Sequence, residues 1–231
     1  EKAQKLVFDI AQHQQARKEE RIGDVLNEVF KRLENLHDRD SRVSGLPSGF
    51  ADLDDLTSGL HEGELIIVAG RPSTGKTSFA LSLARNVATH ESKPPVAIFS
   101  MEQRSSEIAE ILACSHGRVP RQRLRQGTIG HAEMQTLLLA AGTLSDLGIY
   151  IDDTPGLTLN ELRIKARHMK ARYGIKLVLV DYLQLMESPL RRSEGRQQEI
   201  SDISRGLKSL ARELKVPVVA LSQLNRLVES R

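Results

Sequence analysis

GRPSTGKT, residues 70–77, joins an apolar run, ELIIVAG (64–70), to a stretch with helical spacing, KTSFALSLARNVA (76–88). It matches G-x-x-x-x-G-K-[ST] in full. Glycines in such a loop let backbone N–H groups turn inward around phosphate oxygens, and the start of the following helix adds a favourable dipole. Gly70, Arg71, Pro72, Ser73, Thr74, Gly75, Lys76, Thr77 and Ser78 are therefore the candidate phosphate-binding residues. Lys76 is placed to neutralise the β- and γ-phosphates, and the Thr77 hydroxyl to ligate Mg²⁺.

Reading outward, VAIFSM (96–101), IYID (149–152), IKLVLVD (175–181) and VPVVALS (216–222) are further strand-like runs. Helical patterns over 104–116, 131–145, 158–173 and 197–215 alternate with them. Thr158 and Glu161 stand at capping-box spacing, and Gly174 closes that helix. Continuous apolar strands separated by helices predict an α/β fold: a mainly parallel sheet covered by helices on both faces. Active sites of such sheets lie beyond the carboxyl ends of the strands.

Three residues follow strands at that edge. Asp181 ends KLVLVD and suits the second anchor of a phosphate-bound metal, although a strand-terminal aspartate also serves as a cap or turn residue. Glu102, in FSMEQ, suits a carboxylate that orients water for in-line attack on the γ-phosphorus. Its plainer alternative is an N-cap for the helix starting near Ser105. Gln223, in ALSQLN, suits a γ-phosphate sensor, with a solvated polar residue as the alternative. Asp152 and Asp153 read as turn residues beside the same edge, with an indirect catalytic role as the alternative.

At 231 residues, 39% hydrophobic and 27% charged, the chain has room for one substantial domain plus an appendage. No apolar run approaches the roughly 20 residues of a membrane span and no signal peptide is evident, so a cytoplasmic protein without membrane partners is expected. The single cysteine, Cys114, excludes a disulfide framework. A net charge of +3 permits nucleic acid, but 3% aromatics and no tryptophan argue against a base-stacking platform. Any grip on nucleic acid would pass through its backbone. ESPLRRSEGRQQE (187–199) concentrates Arg191, Arg192 and Arg196 around Glu194 and Gly195, and suits either a phosphate-holding loop or an exposed one.

Before the phosphate loop, RIGDVLNEVFKRLENL aligns Ile22, Val25, Leu26, Val29, Phe30, Leu33 and Leu36 on one helical face. That stripe suits packing on its own domain or on a neighbouring subunit. The polar stretch HDRDSRVSGLPSG behind it reads as a flexible linker. The chain opens at Glu1 and stops at Arg231 just after a strand, which reads as a fragment of something longer.

In order, SGFADLDDLTSGL, GRPSTGKT, FSME, YIDDTPG, VDYLQLM, GRQQEISDISRGLKSLAREL and ALSQLNR closely resemble the replicative DNA helicases of the DnaB family. The resemblance runs from the helix near Ile22 to the end of the chain. It implies a RecA-like P-loop NTPase core at 48–231, C-terminally incomplete, a linker helix and flexible linker at 21–47, and at 1–20 the helical tail of a missing N-terminal domain. It further implies ATP and Mg²⁺ bound between subunits of a homo-hexamer, with Lys76, Thr77 and Asp181 on phosphate and metal. Glu102 would activate water and Gln223 would act as sensor. The segment holding Arg191, Arg192, Glu194, Gly195 and Arg196 would hold single-stranded DNA, and the linker helix would dock on the adjacent subunit. Primase and a helicase loader are the implied partners, and 5′ to 3′ translocation with fork unwinding the implied activity. The family's trans-acting basic finger would lie beyond Arg231. Gln103 stands where the family has an apolar residue. A RecA-like recombinase or clock-type ATPase, a non-enzymatic ATP-binding module and a small-molecule phosphotransferase are the competing classes; the linker helix and the GRQQE-containing helix argue against the first.

Overall fold

The computed structural model describes residues 21–37, 43–186 and 196–224. Two units divide the chain, Glu1–Arg42 and Val43–Arg231. In the first, α1 (Ile22–His37) forms as its apolar periodicity predicts. Ile22, Leu26, Val29 and Phe30 are exposed along it, Ile22 by 71% and Phe30 by 58%.

The second unit opens with a tether. Residues 43–47, assigned from sequence to the linker, include Leu46, bridged antiparallel to Leu60, and Gly45, whose N–H donates to the Ser58 carbonyl. The short helix α2 (Ala51–Thr57) lies between. Its buried Asp54 accepts the N–H groups of Ser48 and Gly49. Then come β1 (Leu65–Gly70), α3 (Lys76–Thr89), β2 (Val96–Ser100), α4 (Ser105–His116), α5 (Arg121–Arg125), α6 (His131–Ser145), β3 (Ile149–Asp152), α7 (Leu159–Tyr173), β4 (Leu177–Asp181), α8 (Arg196–Leu214) and β5 (Val218–Gln223).

All strand pairs are parallel, in the order β1-β5-β4-β2-β3. Alternate residues of each strand face opposite layers, which is why both must be apolar. Ala97, Phe99, Val178, Val180, Val218 and Ala220 pack on one side with Leu162 and Ala166 of α7 and Ile203, Leu207 and Leu210 of α8. Val96, Ile98, Leu177, Leu179, Val219 and Leu221 pack on the other with Leu81, Leu83, Ala84 and Val87 of α3 and Ile108 and Leu112 of α4. The sheet is thus covered on both faces, as predicted. The Thr158 capping box forms: its side chain accepts from the Glu161 N–H, and Glu161 accepts from the Thr158 N–H. Such a cap is worth about 1 kcal/mol. Gly174 ends the helix in the left-handed region, φ 66.

The clustered arginines before α6 are tied inward. Arg121 pairs with Glu110 at 2.5 Å, Arg125 with Glu110 and Glu107, and Arg123 with Glu133. These charges tie α5 to α4 and α6.

Candidate active site

The register decides which residues meet. Gly70 of β1 lies opposite Gln223 of β5, and Ser100 of β2 opposite Asp181 of β4. With β5 beside β4, the carboxyl ends of four strands deliver the phosphate loop, Gln223, Asp181 and the turn carrying Glu102 to one edge.

The loop has the backbone its sequence demands. Gly75 sits at φ 88, a conformation that costs side-chain-bearing residues energy. A Cβ on Gly70 would lie 2.9 Å from Thr74 Oγ1 and 3.2 Å from Lys76 Cγ, so the loop folds back only over a bare backbone. Thr74 Oγ1 and Lys76 Nζ both donate to the Arg71 carbonyl, at 2.8 and 2.6 Å. Phe79 N–H is the first in α3 to reach a carbonyl one turn back, that of Gly75. The N–H groups of Lys76, Thr77 and Ser78 at the helix start therefore lack intrahelical acceptors, which suits phosphate oxygens.

Thr77 Oγ1 donates to Asp181 Oδ2 at 3.0 Å, across 104 residues of sequence. Asp181 is only 3% exposed. Burial pushes its carboxyl above the usual range; the Thr77 hydrogen bond opposes this, the Glu102 charge adds to it, and Lys76 opposes it. Glu102 and Lys76 thus both act electrostatically on the residue that Thr77 touches. One hydroxyl and one carboxylate suit Mg²⁺, which keeps several waters and takes phosphate oxygens instead of a full protein cage. Among the described residues no cluster of three or more His, Cys, Asp or Glu side chains is arranged to hold a metal.

A raised native pKa means that the folded state holds this proton more tightly than the unfolded chain does. The associated stability is present below the ordinary value of 3.8 and is lost as pH rises through the folded value. At neutral pH the ionised carboxylate is a net cost unless a cation compensates. Asp181→Asn should therefore raise the melting temperature of the metal-free protein at pH 7. Calorimetric scans at pH 7 and at pH values below the ordinary range should show that gain vanish on acidification; a gain independent of pH would contradict it.

Glu102 is exposed on the turn that follows β2. Ser100 is buried, and its hydroxyl accepts the Gln103 N–H (3.1 Å) and donates to the Gln103 carbonyl (2.9 Å), so the turn is held from inside. The capping alternative for Glu102 is not realised: the Ser105 N–H at the start of α4 donates to Asp153 Oδ2 at 2.8 Å. Asp153 is a cap supplied from after β3, a role that sequence patterns miss because the two residues are 48 apart. Asp152 is a structural ion pair. Burial pushes its carboxyl up, but hydrogen bonds from Lys165, at 2.6 and 2.9 Å, and from Thr154 hold it below the usual range.

Gln223 is exposed at the end of β5, and its backbone is engaged by Gln184, a residue of VDYLQLM to which the sequence reading gives no role. Arg191, Arg192, Glu194 and Gly195 lie outside the described residues, and Arg196 opens α8.

The family model for the DnaB-like helicase C terminal domain matches residues 45–231. The chain is 46% identical over 229 residues to the replicative DNA helicase DnaC of Bacillus subtilis (strain 168), covering 99% of this chain and 50% of that protein. It is 44% identical over 231 residues to the replicative DNA helicase DnaB of Geobacillus stearothermophilus, covering 100% and 51%. The chain thus spans about half the length of the curated relatives it matches. Among solved structures, one ATPase domain superposes with TM-score 0.83 at 35% identity, over 93% of this chain and 75% of that one. A DnaB-like replicative helicase, described with its interactions with primase, superposes with TM-score 0.79 at 33% identity, over 98% and 54%. The parallel sheet described above is therefore the RecA-like ATPase fold of these helicases.

Proposed function

Because the chain belongs to the family of DnaB-like helicase C-terminal domains, we propose that it is the ATP-hydrolysing motor of a replicative DNA helicase, translocating 5′ to 3′ on single-stranded DNA. The observation that carries this reading is the Thr77–Asp181 hydrogen bond, which joins the phosphate loop to a buried strand-end carboxylate, with Lys76 and Glu102 acting on the same carboxylate.

Each residue then has one task. Residues 70–78 wrap ATP phosphates, their N–H groups and the Lys76 ammonium meeting negative charge. Thr77 and Asp181 would hold Mg²⁺, which would neutralise charge developing on the phosphates. Glu102, exposed beside Asp181, orients a water and accepts its proton as the oxygen approaches phosphorus. Gln223, opposite Gly70, senses the terminal phosphate.

The assembly proposed is a homo-hexamer. The exposed stripe Ile22, Leu26, Val29 and Phe30 supports docking of α1 on an adjacent subunit, since an apolar face of that size needs cover. The described residues contain no helix long and apolar enough to cross a membrane, and we assign the motor to the cytoplasm. Primase and a helicase loader are its proposed partners, primase being the one that a structural neighbour is described with.

The direct test is steady-state ATP hydrolysis by the full-length parent protein with and without single-stranded DNA, followed by unwinding of a forked duplex. Stimulation by DNA and unwinding are the expected results; turnover indifferent to DNA would refute the motor reading. The grip on DNA is assigned to Arg191, Arg192, Glu194, Gly195 and Arg196. Reversing Arg192 and Arg196 to Glu should weaken binding of an oligo-dT strand. It should also flatten the salt dependence by about 1.4 in log–log slope if two phosphate contacts are lost. An unchanged slope and affinity would remove this segment from the DNA interface.

A further inference from the structure

The ladder between β4 and β5 ends at Val180 opposite Ala220, whereas the ladder between β1 and β5 continues to Gly70 opposite Gln223. After Asp181 the chain turns away from the sheet through a short 3-10 turn, Leu183–Leu185. The last residues of β5 are thereby left without a neighbouring strand on that side. On the β1 side the Leu224 N–H still reaches the Gly70 carbonyl at 3.0 Å. A side chain supplies the other side. Gln184 Oε1 accepts the Gln223 N–H at 3.2 Å, and Gln184 Nε2 donates to the Gln223 carbonyl and to Ser222 Oγ, each at 3.0 Å. The carboxamide presents the donor and acceptor that a peptide group of a continued β4 would have presented.

This clamp has two ends of functional interest. Asp181, three residues before Gln184, is bound to Thr77 of the phosphate loop. The stretch 187–199, with Arg191, Arg192 and Arg196, begins three residues after it. One short turn of chain is thus fastened to the metal anchor and to the backbone of Gln223. We propose that Gln184 is a positioning residue that holds the Gln223 backbone in register and so couples the presentation of Gln223 at the phosphate edge to the stimulation of turnover by single-stranded DNA. This rests on the motor reading above. Gln184 touches no reacting atom; it acts through Gln223.

The test uses the full-length protein with Gln184→Leu, which removes both halves of the clamp, and Gln184→Glu, which keeps the acceptor and loses the donor. ATP turnover is measured with and without oligo-dT, beside ATP affinity and melting temperature. The ratio of DNA-stimulated to basal turnover should fall about tenfold in the Leu variant and less in the Glu variant. Basal turnover and ATP affinity should stay within about twofold of wild type. A stimulation ratio unchanged in both variants overturns the coupling while leaving the motor reading intact. A uniform loss of turnover, affinity and melting temperature also overturns it, since a merely structural role would do that. If the Leu variant does not fold, the Glu variant decides on the same ratio. Wild-type turnover that ignores DNA overturns the motor reading, and the coupling with it.

Discussion

Glu102→Gln should leave ATP bound and slow its hydrolysis by a factor on the order of 10² or more. The substitution is nearly isosteric, so it can still hold a water, but an amide cannot accept the proton that the water must lose. Its electrostatic consequence runs the other way. The Glu102 charge raises the Asp181 pKa, so removing it eases ionisation of Asp181. Chemistry should therefore be lost while affinity holds. Calorimetric titration with ATP, alongside turnover of the full-length protein with and without single-stranded DNA, separates the two. Because Asp153 and not Glu102 caps α4, the variant has no helix terminus to lose, and its melting temperature should match wild type. Unaltered turnover would mean that another group activates the water.

Lys76→Ala should act on the opposite quantity. The half-buried Lys76 side chain reaches across the loop to the exposed Arg71 carbonyl, bringing a full positive charge to the loop's mouth. Losing a charge-assisted contact of this kind should raise the Kd for ATP on the order of 10²-fold, or take binding below detection. Stability should change little, since the hydrogen bond is to an exposed loop carbonyl that water can satisfy. Calorimetry measures the affinity, and a thermal scan reports whether the fold survives. Wild-type affinity in the variant would remove Lys76 from the phosphate site. Together the two substitutions divide the edge into a residue that binds and a residue that reacts.

Much of this arrangement is legible before any coordinates. VAIFS, LVLVD and VVALSQ read as strands because a parallel strand covered on both faces must be apolar at nearly every position, and a run of four or five such residues between turn signals fits little else. The phosphate loop is legible because its chemistry is local: φ 88 at Gly75 and the close approach at Gly70 concern residues within one turn of chain. The Thr158 capping box is local in the same sense. The short helices α2 and α5 leave no such mark, since seven and five residues are too few to establish a periodicity. Nothing local marks the arginines of α5 as structural, and only the carboxylates of α4 and α6 reveal them as ties.

Composition, motif and apolar periodicity by themselves determined the α/β class, the phosphate loop and a short roster of strand-end residues. They left open whether Glu102 caps a helix, whether Asp181 meets Thr77 and what holds Gln223 in place. Tertiary structure decided these, because each depends on partners far away in the chain: Asp153 is 48 residues from Ser105, Thr77 is 104 from Asp181, and Gln184 is 39 from Gln223. Local propensity acts over a helical turn or a strand repeat. Strand order, by contrast, is chosen by the burial of whole faces, and only that order, β1-β5-β4-β2-β3, brings Gly70, Gln223, Asp181 and Ser100 side by side at one edge.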